Sequence, residues 1–391
     1  MEIIKIIEKG IASLFAQPLL YLSIILLIIV GFRRVKRERK SFSTRIYSPW
    51  LELRTFFSSS LIFGGLLSVI TFFTGFSITV HWLVVFNVIT MLVLIGSMFR
   101  LVSVAVTIGM SSLFFYICYY HDVKLVPFMK LNFNYKDLYV DNFMVAMTFF
   151  LALLLLFEGY LIQRYGAKNA LPMLKKTARG KVAGAFQLRK LWFIPLLVFI
   201  PGTEMQKLFD WWPVFTIGAH SYSLIVLPIV IGFGKHIETA LPNNISRKIS
   251  SQVTILAVII AMIGLLSIMM PTLTLFAFVL AVVARLWIAF RFYREEKYGR
   301  KCFVPLSDGL VILGARAGSP SERLNLLAGE KIIEVNGQKV NSRASLYKAL
   351  NINRAFCKIK VIDLDGEPRI EQTALYANDP FELGLLLVEP R

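Results

Sequence analysis

The sequence predicts a polytopic α-helical membrane domain, with about nine transmembrane helices, followed by a small C-terminal α+β domain. Three observations lead to this fold class. Hydrophobic residues make up 56% of the chain and charged residues 17%, at a mean hydropathy of +0.65, far from the balance of a soluble domain. Apolar runs of about 20 residues, the length that crosses a bilayer, recur as far as residue 290. After residue 302, short apolar runs alternate with turn residues.

Nine apolar segments are predicted to cross the membrane as helices. They are residues 11–32, 57–76, 82–99, 101–120, 143–162, 191–212, 213–234, 253–270 and 272–290. Two apolar stretches are too long for one helix and are divided at Gly96 with Arg100 and at Pro271, which predicts tight helical hairpins. Eight spans are the alternative, because the sixth segment is short before PGTEMQ and also fits a re-entrant dip.

The N-terminal stretch MEIIKIIEKGI predicts an amphipathic helix at the membrane surface, with its isoleucines on one face and its charges opposite. No signal peptide is predicted, because RRVKRERK follows the first apolar segment and no small-residue cleavage site appears. We expect residues 1–32 to form this interfacial helix and the first transmembrane helix. We expect residues 33–56 to form a basic cytoplasmic loop. We expect 57–292 to be the multi-pass block and 303–391 the C-terminal domain.

The distribution of Lys and Arg predicts the orientation. Segment 33–54 carries eight basic and two acidic residues, and segment 163–190 carries eight basic and no acidic residues. Basic residues in short loops stay on the cytoplasmic side. Nine spans put every basic loop on that side, with the N-terminus outside and the C-terminal domain in the cytoplasm.

The formal net charge of +19 lies in the membrane block, since 302–391 contains eleven basic and eleven acidic residues. Most of this excess of positive charge consists of the basic loop residues that predict the orientation in the membrane. A second interpretation is that the basic segments bind anionic lipid headgroups, at about 1 kcal/mol per Lys or Arg. The residues assigned to this lipid-facing role are Arg33, Arg34, Lys36, Arg37, Arg39, Lys40, Lys175 and Lys176. Nucleic-acid binding is not predicted, because no helix-turn-helix, zinc-finger or RNP pattern accompanies the charge.

No residue pattern predicts catalysis, a cofactor or a metal site. The three cysteines show no C-x-x-C spacing, so neither a disulfide framework nor a zinc site follows. The sequence has no H-E-x-x-H motif of a metalloprotease and no length left for a soluble serine-protease domain. We therefore expect a protein that is not an enzyme.

One carboxylate, Glu158, lies inside a predicted span. Burying a carboxylate in lipid is costly, so a functional site is one interpretation. Arg164 follows six residues later near the membrane interface, where both side chains can extend towards each other or towards headgroups. We favour a Glu158–Arg164 pair over a proton or substrate site.

The C-terminal domain reads as short strands joined by turns. Strands are predicted at 309–313, 332–335, 358–364, 369–375 and 385–388. Asn336-Gly337 and Asp365-Gly366 supply the positive φ angles that tight hairpins need. A short helix follows the turn Gly318-Ser319-Pro320, and a second helix is capped by Asn341 or Ser342.

This succession resembles a PDZ domain over 303–391, and GSPSERLNLLAGEKIIEVNGQKV is its most specific part. The best match to the carboxylate-binding loop is ELGL at 382–385, which comes last, so the domain resembles a circularly permuted PDZ domain. The resemblance implies β-augmentation by an extended peptide. It implies the peptide-binding residues Leu383, Gly384, Leu385, Leu386, Leu387, Ser345, Ala349 and Ile352. The alternative is a closed groove in a domain that only packs on the loops.

The whole chain resembles the MinJ family of topological determinants of cell division in rod-shaped Gram-positive bacteria. The resemblance rests on a first span followed by GFRRVKRERK, a many-spanning block and one C-terminal PDZ domain ending in ELGL. It implies a membrane scaffold enriched at septa and poles. Its implied partners are DivIVA, a curvature-localised coiled-coil protein, and MinD, the ATPase that carries the division inhibitor MinC. A PDZ regulator of membrane proteolysis or secretion, and a transporter with a regulatory PDZ domain, remain alternatives.

Overall fold

The structure is a computed structural model that describes most of the chain. The described residues are 2–42, 44–58, 60–97, 99–121, 138–176, 180, 182–206, 211–219, 221–316, 318–353, 355–376 and 383–388. They form a membrane block with a three-stranded sheet at its centre and a C-terminal module with a six-stranded sheet.

The block contains nine helices among the described residues. They are α1 Glu2–Phe15, α2 Pro18–Phe42, α3 Leu51–Ser58, α4 Leu61–Thr74, α5 Val80–Ser97, α6 Val104–Tyr120, α7 Val140–Tyr165, α8 Pro242–Ser267 and α9 Leu273–Tyr298. Six helical segments are long and apolar enough to cross a membrane: α2, α3 with α4, α5, α7, α8 and α9. Helix α6 is apolar but shorter.

The described parts of the predicted sixth and seventh spans are mostly strand and contain no helix, so the predictions of nine or eight transmembrane helices were wrong. The block sheet consists of β1 Leu171–Lys176, β2 Val182–Met205 and β3 Tyr222–Ile237, in the antiparallel order β1-β2-β3. Pro195, Pro201 and Pro228 lie inside β2 and β3 and disfavour a helix. A continuous apolar run fits a buried strand as well as a helix, so hydropathy alone did not separate them.

The β2–β3 hairpin extends through the block beside α2. Gln17, next to the first residue of α2, donates a hydrogen bond to the carbonyl of Val226, which pairs with Leu197. Near the other end of α2, Arg37 Nη1 donates to Gln187 Oε1 at 2.7 Å. The strand steps from 187 to 197 cover about 33 Å, and α2 rises about 30 Å between the two contacts. Both lengths match a hydrocarbon core of about 30 Å, so the hairpin is long enough to cross it twice.

The free edge of β2 is closed by hydroxyl groups at and near α4. Ser60 Oγ donates to the carbonyl of Phe193 and accepts from its N–H. Ser68 Oγ accepts from Leu197 N–H at 3.0 Å, and Thr71 Oγ1 donates to the Leu197 carbonyl at 2.6 Å. These small polar residues give the strand edge the partners that lipid cannot supply.

The same edge remains closed further along. Pro195 has no N–H to satisfy, and its carbonyl accepts from Ser68 Oγ at 3.3 Å. Phe199 donates to the Phe76 carbonyl at 3.0 Å and accepts from Ile78 N–H at 2.8 Å, in the connection between α4 and α5.

The free edge of β3 is covered mainly by the N-terminal helix. Val226 N–H donates to Ser13 Oγ at 3.2 Å, and its carbonyl accepts from Gln17 Nε2 at 2.6 Å. Gly232 N–H donates to the carbonyl of Val102, just before α6, at 2.6 Å. The helices therefore hold the sheet as an internal element of the block, which is the condition for irregular backbone at membrane depth.

The segment predicted as a basic loop, 33–56, is largely helical. Helix α2 continues from its apolar part through RRVKRERK to Phe42, and α3 begins at Leu51. The first span and RRVKRERK therefore form one continuous helix, and α3 is separate from it.

The C-terminal module has the predicted elements. They are β4 Leu310–Ala315, a 3-10 helix Pro320–Leu324, β5 Lys331–Val335, β6 Gln338–Lys339, α10 Arg343–Ile352, β7 Phe356–Ile362, β8 Pro368–Ala374 and β9 Leu385–Val388. The main sheet order is β8-β7-β5-β4-β9, and β6 pairs with β5. Asn336 and Gly337 have φ angles of 47° and 81°, which confirms the predicted tight turn.

The module docks on the part of β2 that precedes the apolar run. Gly184 N–H donates to the carbonyl of Phe303 at 2.8 Å, and the rings of Phe186 and Phe303 meet edge to face at 5.1 Å. A Cβ on Gly184 would lie 2.4 Å from Leu313 Cδ2, so only glycine permits this approach. We call this end of the block the module end and the opposite end, at Val226, the far end.

Candidate functional site

Strand β9 is the edge of the module sheet nearest the block. Its register with β4 pairs Val311 with Val388 and Ala315 with Leu385. Among the described residues β9 has no strand partner on its other side. Its side chains alternate between two environments: Leu385 and Leu387 belong to the module core, whereas Leu386 and Val388 belong to the core shared with the block. The outer backbone edge of β9 is therefore unpaired by any strand of the described residues.

The two described residues before β9, Leu383 and Gly384, are held in place by hydrogen bonds to their carbonyl groups. Gly384 has a φ of +77°, and a Cβ there would lie 2.4 Å from the side chain of Ser319. The carbonyl of Gly384 accepts from Arg316 N–H at 2.8 Å, and that of Leu383 accepts from Ser321 N–H at 3.0 Å. Only glycine suits this conformation and this contact.

The predicted peptide-binding residues of α10 occupy three different settings. Ser345 lies in a capping box with Ser342, which satisfies the first turn of the helix. Ala349 is buried in the module core with Leu385 and Leu387. Ile352, at the helix end, is 62% exposed. Of these residues, Ile352 presents the most accessible apolar side chain.

A carboxylate ties the segment after β3 to the connection that leads to the module. Glu238 accepts hydrogen bonds from Lys175 at 2.7 Å and forms an ion pair with Lys301 at 3.0 Å. Burial raises the pKa of Glu238, but the two ammonium groups outweigh it and leave that pKa below its usual value. Glu238 therefore remains ionised as a clamp at the module end.

Most of the predicted lipid-facing basic residues are exposed, but Arg34 is not. The exposed ones are Arg33, Lys36, Arg39, Lys40, Lys175 and Lys176. Arg37 is half-buried, and Arg34 is 6% exposed. The prediction that Arg34 faces lipid was wrong, because the α2–α3 packing turns its side chain inwards.

Arg34 instead joins two carboxylates inside the protein. Its Nε and Nη2 bind Glu52 at 2.5 and 3.0 Å, and its Nη1 binds Glu38 at 2.5 Å. The other oxygen of Glu38 accepts from the N–H groups of Ile46 and Tyr47. This network fixes the connection between α2 and α3, and it leaves little free carboxylate for other cations.

Glu158 is bound to Arg285 and not to Arg164, so the predicted pair was wrong. Glu158 Oε1 accepts from Arg285 Nε and Nη2 at 3.0 and 2.9 Å. Its Oε2 accepts from Ser103 Oγ at 2.7 Å and from Val104 N–H at 3.0 Å. Arg285 lies on α9, 127 residues along the chain, and no local sequence signal could have found it. The pair joins α6, α7 and α9 and satisfies both carboxylate oxygens.

Two basic residues that the sequence did not single out lie in β2 at the module end. Lys190 is 7% exposed and Arg189 is partly buried. Both line a cavity with Arg37 and Gln187, between β2 and helices α2 and α3. The sequence signal for their burial was their position directly before an apolar run. That run was predicted to be a helix, so Arg189 and Lys190 were assigned to the loop before it.

The described part of the chain contains no group of three or more His, Cys, Asp or Glu side chains that could hold a metal ion. Its cysteines are unpaired, with Cys118 and Cys357 buried and Cys302 exposed. Burial raises the pKa of the Cys357 thiol to about 12, which makes it a poor nucleophile.

The similarity to known proteins extends over both the block and the module. The chain is 31% identical to the cell division topological determinant MinJ of Bacillus subtilis (strain 168) over 384 residues, which cover 97% of this chain and 94% of that protein. The chain belongs to the MinJ family. The probable cell division topological determinants MinJ of Lacticaseibacillus paracasei and Lacticaseibacillus casei (strain BD-II) are each 21% identical over 368 residues, 94% of both chains. No family model matches the chain.

Membership of the MinJ family and the six apolar helices make this chain a membrane protein of cell division. The MinJ match covers 97% of the chain and therefore takes in most of both the block and the module. Surfaces that serve division therefore have to be sought on both the module and the block.

Proposed function

We propose that this chain is a non-enzymatic membrane scaffold that recruits cytosolic proteins of division-site selection to the septum. The supporting observation is β9, which is paired with β4 on one side only within the described residues. Exposed strand edges are usually covered or blocked, so an open one calls for a partner. A peptide that adds a strand to this edge would make backbone hydrogen bonds that need no particular side chains of β9.

The module that carries β9 is, in this proposal, a circularly permuted PDZ domain. The order of strands and helices, the positive φ at Gly384 and the edge position of β9 support this assignment. Peptide binding would use the backbone of Leu385, Leu386 and Leu387, with Ile352 contacting the ligand side chains. Leu383, Ser345 and Ala349 would support the groove from below.

The proposed partners are a DivIVA-like protein and a MinD-like protein, bridged by this chain so that MinC acts at the division site. Membership of the MinJ family supports a role in division, and the resemblance supplies these partners. The module would take one partner and the basic part of the block would contribute to the other contact and to anionic lipids. We propose no nucleic-acid partner and no cofactor.

The module end would face the cytoplasm, and the protein would be enriched at septa and poles. The exposed cations of α2 and β1 lie at the module end, which agrees with the tendency of basic segments to remain cytoplasmic. Single cysteines in place of Lys339 in the module and Met269 at the far end, in a chain without its own cysteines, should label oppositely with an impermeant maleimide. External labelling at position 339 would overturn this orientation.

The decisive experiment separates binding from folding. Ile352→Arg places a charge at the proposed groove, whereas Ile370→Arg makes the same change on β8, at the other edge of the sheet; the two isoleucines are 62% and 54% exposed. We expect Ile352→Arg to abolish septal recruitment of the MinD-like partner, and Ile370→Arg to leave it intact. Tagged-protein imaging with immunoblots for protein level measures both.

Equal recruitment by the two variants at normal protein level would reject the groove as the binding surface. A loss in both would point to general damage, and limited proteolysis of the module would then identify it. The transporter alternative has no support from Glu158, because both oxygens of that carboxylate are bound within the protein.

A further inference from the structure

A small cavity at the module end has four cations and one carboxylate among its twelve lining residues. It lies between α2, α3, β1 and β2, and its polar lining includes Arg37, Gln187, Arg189 and Lys190. Its volume is about 20 Å³. About 10–15 Å³ on this measure holds one water molecule, so the space suits a small polar group. We call it the cationic pocket.

The cationic pocket holds a buried charge without a partner. Lys190 is 7% exposed, yet among the described residues neither its ammonium nor the guanidinium of Arg189 forms an ion pair. Arg37 donates to the neutral amide of Gln187. Arg37, Arg189 and Lys190 therefore line the cavity without an ion pair of their own among the described residues.

The carboxylates nearby are already engaged. Glu52, which also lines the pocket, binds Arg34 through both of its oxygens. Glu38 binds Arg34 with one oxygen and the N–H groups of Ile46 and Tyr47 with the other. The network that satisfies Arg34 thus leaves Arg37, Arg189 and Lys190 short of negative charge.

A buried, unpaired charge is strongly unfavourable, and proteins meet this cost with a counter-ion. Ammonium and guanidinium groups around one small cavity match the several acceptor oxygens of a phosphate group. We propose that the cationic pocket binds a phosphate group, and that Lys190, Arg189 and Arg37 are its ligands. This proposal does not depend on the module or on its partners.

The surroundings favour a phospholipid headgroup as the source of the phosphate. Helix α2 passes from its apolar part to its charged part beside the pocket, with Phe32 as the last apolar residue before Arg33. Phe32 and Trp50 are 55% and 52% exposed and meet edge to face at 6.1 Å. Exposed aromatic residues of this kind mark the headgroup level of a bilayer, and basic pockets at that level bind anionic headgroups.

The test uses the full-length chain purified in mild detergent from bacterial membranes. The pocket variant is Arg189→Gln with Lys190→Met, and the matched control is Arg247→Gln with Lys248→Gln, which removes two exposed cations of α8 that do not line the pocket. Native mass spectrometry and phosphorus analysis count the phospholipids retained by each protein. Thermal unfolding is then followed in phosphatidylcholine nanodiscs, in phosphatidylglycerol nanodiscs, and in detergent with inorganic phosphate.

We expect about one anionic phospholipid per chain on the unmodified protein and on the control, and at least a tenfold lower occupancy on the pocket variant. Phosphatidylglycerol should raise the unfolding temperature of the first two more than that of the pocket variant. A second outcome is that no lipid is retained, but inorganic phosphate raises the unfolding temperature of the unmodified protein and the control more than that of the pocket variant. The same pocket then takes its phosphate from solution.

Equal lipid retention and equal shifts in all three proteins would overturn the proposal. Arg189→Lys with Lys190→Arg serves as a second variant, since it keeps the charges and should restore binding to most of the original occupancy. The pocket variant could also lose its fold. If the charge-preserving variant then folds but fails to bind phosphate, the proposal is overturned, because the charges would have only a structural role.

Discussion

The two sheets of this molecule have free edges that are treated in opposite ways. In the block, the edge of β2 is closed by Ser60, Ser68 and Thr71, which bond to its N–H and carbonyl groups one by one. In the module, β9 has no strand beside its outer edge among the described residues. Lipid offers no hydrogen bonds to an open edge, whereas water or a peptide does.

The difference shows how one chain uses the same element in two solvents. A strand inside the block is tolerated because helices at its sides present hydroxyl and amide groups at matching heights. The outer edge of β9 has no strand partner among the described residues, and in the proposed function a peptide binds there. Polar groups in the block are therefore expected to matter for stability, and polar groups of the module edge for binding.

The largest effect is expected at the buried ion pair of the block. Glu158→Ala removes the acceptor of Arg285 and leaves that guanidinium buried and unpaired, which should lower the free energy of unfolding by about 3–5 kcal/mol. Thermal unfolding in detergent, with protein yield, measures this loss.

The exposed pair Arg291–Glu295 provides the control for that prediction. Its side chains are 58% and 46% exposed, and Arg291→Ala should cost less than about 0.5 kcal/mol. Equal effects of the two substitutions would mean that burial does not set the strength of polar contacts in the block.

A slightly smaller effect is expected when the β2 edge is opened. Ser60→Ala with Ser68→Ala leaves the N–H groups of Phe193 and Leu197 and the Phe193 carbonyl without side-chain partners. Each unsatisfied buried group costs about 1–3 kcal/mol, and three groups at the lower end of that range give a total loss of about 3 kcal/mol. Hydrogen exchange of the β2 amides and the unfolding temperature report the change; Ser58→Ala, on an exposed position, is the matched control.

An intermediate effect is expected where the two regions meet. Gly184→Val places methyl groups against Leu313, Phe303 and Val388, which would lie within 3 Å of its Cβ. We expect the module to separate from β2 at a cost of about 1–3 kcal/mol, while the six apolar helices remain in the membrane. The rate of proteolysis between the block and the module measures this separation, and we expect it to rise. An unchanged rate would show that this contact does not hold the module.

The smallest effect is expected at the Glu238 clamp and depends on pH. Its lowered pKa means that the stabilisation is complete above the usual value of 4.5 and disappears as pH falls through the folded-state pKa. Glu238→Gln should cost at most about 1 kcal/mol at pH 7, because its lysine partners are partly exposed. The difference between the unfolding temperatures of the two proteins should be complete above pH 4.5 and shrink as the pH falls further, and a difference that does not shrink at acid pH would contradict this role.

The sequence predicted the C-terminal module almost element by element. Alternating strands, the Asn336-Gly337 turn and the Ser342 cap are local signals, and each is found where it was expected. The groove itself stays a prediction, since it depends on how β9 and α10 face a ligand. That Ile352 contacts a ligand also stays a prediction, which came from the resemblance to PDZ domains; the structure shows that its side chain is 62% exposed.

The sequence missed what depends on distant residues. Glu158 was paired with Arg164 because Arg285 lies 127 residues away. Arg34 was placed in a lipid-facing loop because its partner Glu52 becomes a neighbour only when α3 folds against α2. Lys190 was counted among loop cations, and its burial follows from the strand that carries it.

By itself, the sequence determined that this protein crosses a membrane, where its cations lie and which turns shape its module, because apolar length, charge and turn chemistry act locally. Only the tertiary structure decided that β2 and β3 form a hairpin where two helices were predicted. An apolar run of that length suits either form, and the choice rests on whether neighbouring helices satisfy the strand edges. Ser13, Gln17, Ser60, Ser68 and Thr71 do so from positions more than 120 residues away.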